Sequence, residues 1–181
     1  MKKICAVLLL LGMILTCNIA YAVDAFDIHI RYAQQIWKYM DQVERSNKPK
    51  YLGYEYCGPD GEDFGLPEHL YSLVYKTSTT VVVVNYSDKQ LKNTVGAPYF
   101  LTTSPAHNIG KIKVGGSAKS LARSIFTKQN KNHYQSFYDG HTINVYCNNK
   151  GIITSIEWID EAPIASTAME FIKGKRKANL K

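Results

Sequence analysis

Ile109-Gly-Lys-Ile-Lys-Val-Gly-Gly-Ser117 begins the stretch Ile109 to Asp160, on which the fold turns. Two glycines stop a short extended run, and Ser117 stands where a helix N-cap would, its hydroxyl placed to accept an orphan backbone N–H. Ala118, Leu121, Ala122, Ile125 and Phe126 then recur at three- and four-residue intervals, so the spacing predicts a helix from Ala118 to Thr127 with one apolar face. After a polar break through Asn132, the segments Tyr134–Tyr138, Thr142–Asn148 and Ile152–Ile159 are rich in aromatic and β-branched residues and predict three strands. Asp139-Gly140 suits a type I′ hairpin, and Asn149-Lys150-Gly151 makes the next turn. Alternation places Ile143, Val145 and Cys147 on one side of the middle strand, and Ile152, Thr154, Ile156 and Trp158 on one side of the last. The expected unit is one helix lying across a three-stranded antiparallel meander. Anion binding at the Gly115-Gly116-Ser117 turn is the functional alternative, but the run lacks the spacing of a phosphate loop.

The run Gly110 to Ser117, its helix and the closing strand Gly151-Ile-Ile-Thr-Ser-Ile-Glu-Trp158 resemble the unit of small secreted bacterial proteins related in fold to the β-lactamase inhibitor protein. The same unit is similar to the small lipoprotein subunit of the outer-membrane barrel assembly machine. The resemblance covers residues 109–160. It implies an α+β unit that is not an enzyme and works by protein–protein contact through its sheet.

Residues 1–22 have the three parts of an export signal: Lys2 and Lys3, an apolar core from Ile4, and Ala20-Tyr21-Ala22 with small residues at the two inspected positions. Cleavage after Ala22 would send the chain to the periplasm or outside the cell. An uncleaved anchor over Ile4 to Val23 is disfavoured by Thr16, Cys17 and Asn18, and lipidation at Cys17 by the threonine before it. Cys5 and Cys17 leave with the signal. Cys57 and Cys147 remain as an even pair in a compartment that permits disulfides, so a bridge between them is expected. Metal binding by the two thiols lacks further ligands nearby, and no cofactor is implied.

The formal charge is +7; Lys2 and Lys3 go with the signal, and Lys173, Lys175, Arg176, Lys177 and Lys181 crowd the last ten residues. Residues 23–171 are balanced, so the basic pI belongs to a tail. Such a tail favours a solvated terminus, with weak contact to anionic membrane or wall polymer as its functional use. Nucleic acid is excluded as a partner because the folded part carries no net positive field.

The rest of the chain predicts an amphipathic helix over Asp24–Arg45, ended by Asn47-Lys-Pro-Lys, then strands at Tyr51–Cys57, Leu70–Lys76, Thr79–Tyr86 and Tyr99–Thr103. Val81-Val-Val-Val84 has no polar alternation and predicts a central strand covered on both faces. Gln90–Val95 reads as a short extra strand, and Pro98 after Gly96-Ala97 places that segment at a sheet edge. The fold class is α+β, helices packed on antiparallel sheet. The order of helix then strands, followed by helix then strands, is consistent with two degenerate helix-plus-meander units. The division is 1–22 leader, 23–103 helix and strands, 104–161 helix plus meander, and 162–181 a C-terminal segment with the basic tail.

Candidate chemistry is sparse. Asp60, Glu62 and Asp63 share one loop, but its spacing departs from a calcium loop and suits an acidic turn. His133 and His141 stand near opposite ends of one predicted hairpin. Glu157, Asp160 and Asp139 are the carboxylates a small wall-glycan hydrolase would use. Thirteen tyrosines against six phenylalanines point instead to surfaces buried when a partner arrives. Tyr51, Tyr54, Tyr56, Tyr134, Tyr138 and Tyr146 form the candidate binding face, and the expected partner is an envelope or extracellular protein.

Overall fold

A computed structural model describes residues 25–59, 67–123 and 125–180. Residues 1–22, read from sequence as an export signal, the carboxylates Asp60, Glu62 and Asp63, and Lys181 lie outside the described residues. Among the described residues no helix is long and apolar enough to cross a membrane.

Helix α1 runs over 25–46 and stops before Pro49, as the proline requires. Strands β1 (Tyr51–Tyr56), β2 (His69–Lys76), β3 (Thr80–Tyr86) and β4 (Thr94–Thr102) follow, then a small hairpin of β5 (Asn108–Ile109) and β6 (Ile112–Lys113). After a 3-10 helix, Ala118–Arg123, come β7 (Thr127–Asn130), β8 (His133–Tyr138), β9 (His141–Cys147), β10 (Ile153–Asp160) and helix α2 (Ser166–Ile172). One antiparallel sheet takes the order β1-β2-β3-β4-β10-β9-β8-β7, so two four-stranded ribbons meet at a β4–β10 seam. The chain is α+β.

Strand alternation separates two cores. On the first face, Leu73, Val82, Val84, Phe100, Ile143, Val145, Ile156 and Trp158 pack under α1 and under Ile109, Ile112, Val114, Leu121 and Phe126. Helix α1 buries Ala33, Ile36, Met40 and Val43 there and crosses the sheet obliquely. Its start meets β8, where Phe26 packs on Tyr138 at 4.6 Å, and its end meets β3, where Tyr86 donates to Glu44. On the second face, Tyr51, Val74, Val81, Val83 and Tyr99 pack against Ala165, Ala168 and Phe171. Val81 to Val84 are thus buried on both sides, as their unbroken apolar run predicts.

Helix α2 lies mainly over the β1–β2 end of that second face. Close approach is possible because Gly53 lies beneath it: a Cβ there would sit 2.7 Å from the Ala168 Cβ. Gly110 serves a similar purpose on the first face. Its φ of 58° suits the β5–β6 turn, the Tyr32 ring occupies the space a Cβ would need, and its N–H donates to Gln35.

Several expectations change. The helix predicted at Ala118–Thr127 is a short 3-10 segment; Ala118 and Leu121, three apart, still face the core, and Lys119 N–H still donates to the Ser117 hydroxyl at 3.3 Å. Thr127–Asn130 is not a break but the exposed edge strand β7, whose polar residues give no alternation signal because neither side of it is buried. Gln90–Val95, Gly96-Ala-Pro98 and Tyr99–Thr103 resolve into one interior strand, β4, starting at Thr94. Pro98 is tolerated there because Val83 pairs with Tyr99 while Asn85 pairs with Gly96, leaving an irregularity opposite the proline. Pairing of β4 with β10 spans only Tyr99 to Thr102, so Pro98 owes that neighbour no hydrogen bond. In β10 a register shift between Ile153 and Ser155 puts Ile153 in the core while Thr154 is exposed. Helix α2 lies within the C-terminal segment 162–181.

The two cysteines expected to bridge are not joined in the structure. Cys57 and Cys147 are free thiols. Cys57 follows the edge strand β1, and Cys147 ends β9, five inter-strand steps or about 24 Å across the sheet. A bridge needs Cα atoms within about 7 Å, so the two cannot join without dismantling the sheet.

Candidate binding face

The six tyrosines do not share a face. Tyr51 is buried against α2, its ring stacked on Phe171 at 4.8 Å. Tyr54 and Tyr56 are exposed on the opposite side of the same edge strand, beside Tyr71 and His69, with the Tyr54 hydroxyl 3.1 Å from His69 Nδ1. Tyr134 and Tyr138 lie on the α1 side of β8, where Tyr134 is half-buried against the core and under the Lys128 ammonium. Tyr146 faces the other way. A single-strand reading assigned the residue type but not the side, and alternation splits the group.

His133 and His141 are likewise parted. They pair with Tyr146 and Tyr138 at the two ends of the β8–β9 hairpin and project to opposite faces. His141 stacks on Trp158 at 4.9 Å and lies 3.8 Å from Asp160 on the α1 side. Glu157 projects from the other face, so Glu157 and Asp160 cannot flank one glycosidic bond. Asp139 occupies the hairpin turn with φ 47°, beside Gly140 at 74°, the positive pair that a type I′ turn needs.

Two polar clusters emerge. In the first, His29 Nδ1 on α1 lies 2.8 Å from the Ser136 hydroxyl on β8, both side chains buried. Burial, reinforced by the nearby His141, lowers the His29 pKa to about 4. His29 Nε2 and the neighbouring Trp158 Nε1 have no protein partner among the described residues. The Ser136 hydroxyl is enclosed rather than presented, so this pair is part of the core.

The second cluster lies on the half of the second face that no helix covers among the described residues. Register sets three rows across β4, β10, β9 and β8: Tyr99, Ile159, Thr142 and Phe137; then Leu101, Glu157, Asn144 and Gln135; then Ser155, Tyr146 and His133. Glu157 is the hub. Its Oε1 accepts from the Tyr99 hydroxyl at 3.0 Å, and its Oε2 accepts from Asn144 Nδ2 at 3.0 Å and the Tyr146 hydroxyl at 2.9 Å. Because Asn144 donates to the carboxylate, its Oδ1 is left to accept, from His133 Nε2 at 2.8 Å and Gln135 Nε2 at 3.3 Å. The His133 and Tyr146 rings stack at 4.8 Å. Burial and the Glu157 carboxylate push the Tyr99 pKa well up and that of Tyr146 to about 12, so both phenols stay protonated as donors.

Around this rigid hub the surface is apolar and open: Phe137 is 61% exposed and Ile159 36%, while Asn144 beneath is only 4% exposed. A hydrogen-bonded polar centre is thus set among solvent-facing aromatic and aliphatic groups. Tyr99, Asn144 and Gln135 were missed from sequence, and His133 was noticed only as one of two histidines on a hairpin. The outward parity of Asn144 on β9 was legible, but which residue stands opposite Glu157 depends on a register between strands.

No protein-family model matches the chain, and no curated protein is similar to it. Among solved structures, an extracellular protein containing a SCP domain from Bacillus anthracis str. Ames is similar over 51% of this chain and 36% of that one, with 8% identity and a TM-score of 0.34. A likeness that distant carries no argument about fold or activity.

Proposed function

We propose that this is an exported bacterial envelope protein that acts by binding another protein, with the uncovered face of β8, β9 and β10 as its contact surface. The observation that carries the reading is the contrast within one sheet face. Helix α2 seals the β1–β2 end, while the other end leaves Phe137 and Ile159 in solvent around a carboxylate held by three donors. Exposed apolar groups on a preorganised polar base favour association over catalysis. Two degenerate helix-plus-meander units account for the architecture. A two-fold through the β4–β10 seam would exchange β1 with β7, β2 with β8 and β3 with β9, and α1 and the 3-10 helix pack on the same core.

The mature chain, immobilised and exposed to envelope extract, is expected to retain one stoichiometric protein. Phe137→Ser and Ile159→Ser should abolish retention, while Tyr56→Ser, on the other face, should leave it intact. Retention unaffected by either face variant would sink the assignment. A weaker contact with anionic lipid or wall polymer falls to the tail, because Lys173, Lys175, Arg176 and Lys177 are all exposed. Deleting residues 173–181 should then release the protein from anionic liposomes, and unchanged binding would remove that role.

A further inference from the structure

We infer that Glu157 receives a basic side chain from the docking protein, a lysine ammonium or a single arginine N–H; this rests on the binding role assigned to the same face. A carboxylate offers about four lone-pair positions. Asn144 and Tyr146 fill both on Oε2, and Tyr99 takes one on Oε1, leaving a single acceptor position. All three donors are neutral. No lysine or arginine among the described residues comes within ion-pair distance of Glu157, so its negative charge is held in place but not compensated.

The setting selects the kind of cation. One open position cannot take the two parallel N–H groups of a guanidinium fork, but it suits an ammonium or one N–H. Half-buried Leu101 stands directly across from Glu157, with Ile159 and Phe137 to one side and the Tyr146–His133 stack to the other. These are apolar walls for a lysine stem whose charge reaches the carboxylate. Docking would strip water from the pair and strengthen its attraction.

The full mature chain, titrated with Ac-Ala-Lys-Ala-amide and followed by NMR, should show saturable shifts of the Asn144 side-chain amide and the 155–159 backbone amides. A single contact of this kind corresponds to millimolar affinity, on the order of 4 kcal/mol. Acetylating the lysine should weaken binding at least about tenfold, as should Glu157→Gln, whose thermal melt reports whether it folds; the arginine peptide should bind within about threefold of lysine. Equal shifts from the acetyl-lysine peptide, or no localised shift from the lysine peptide, would overturn the inference. If that happens while Phe137→Ser still abolishes retention of the envelope partner, the docking face stands and only the cation site is lost.

Discussion

Asn179 lays its side-chain amide along the outer edge of β1, accepting the Leu52 N–H at 2.9 Å and donating to the Leu52 carbonyl at 3.0 Å. One side chain thus supplies the donor and acceptor that a neighbouring strand would bring. Leu180 beside it packs on the main core. The tail is therefore docked through the Asn179 side chain and its last apolar residue, while Lys173, Lys175 and Lys177 are exposed and Arg176 pairs with Glu170.

Removing that amide should expose the edge to other chains. Asn179→Ala is expected to lose about 1 kcal/mol of unfolding free energy and to self-associate as concentration rises. Sedimentation velocity across a concentration series checks this; a monomer at every concentration would show that the edge is protected by other means.

The α2–β1 contact leaves no room for a methyl group. Gly53→Ala should force α2 away from the sheet, costing about 1–3 kcal/mol, and should unstack Tyr51 from Phe171. Near-ultraviolet circular dichroism and urea unfolding would record both, and an unchanged midpoint would contradict the packing.

Acid should destabilise the fold through His29. Its folded pKa, about 4, lies below the ordinary 6.5, so the unfolded chain binds the proton first. The contribution is complete above pH 6.5 and is lost as pH falls from there to about 4, amounting to about 3 kcal/mol at most. His107, also lowered by burial, adds in the same direction. Urea midpoints for the wild type and His29→Asn should converge as the pH drops; parallel curves would exclude His29 as the source.

Both thiols should be detectable, but not together. Cys147 is buried and Cys57 half-buried, and burial raises the pKa of each. Ellman's reagent should find Cys57 in the native mature protein and Cys147 only after denaturation. Finding neither thiol in denatured, unreduced monomer would restore the bridge and refute the strand order.

Much of the fold was legible because burial leaves a pattern. The apolar spacing of α1, the unbroken valines of β3, the Asp139-Gly140 turn and the alternation of β9 all survive in the structure. What escaped depends on neighbours. Thr127–Asn130 became a strand only because β8 offers a partner, and Pro98 entered an interior strand only because β3 accommodates an irregularity opposite it. Glu157 was noticed as a carboxylate, but its meaning comes from Tyr99, Asn144 and Tyr146, brought to it by pairings no single segment encodes. The cysteines show the same dependence: an even count suggests a bond, while topology sets the distance between β1 and β9.

The β4–β10 seam also governs how this molecule assembles. Every other pairing in the large sheet joins strands that are consecutive along the chain, whereas Thr102 must find Ile156 after the whole second ribbon has been made. That high contact order makes closing the seam the slow, entropically expensive step of folding. Until it closes, two sticky ribbon margins are bare at once, so a crowded compartment would reward rapid capture by a chaperone and punish delay with strand exchange between molecules.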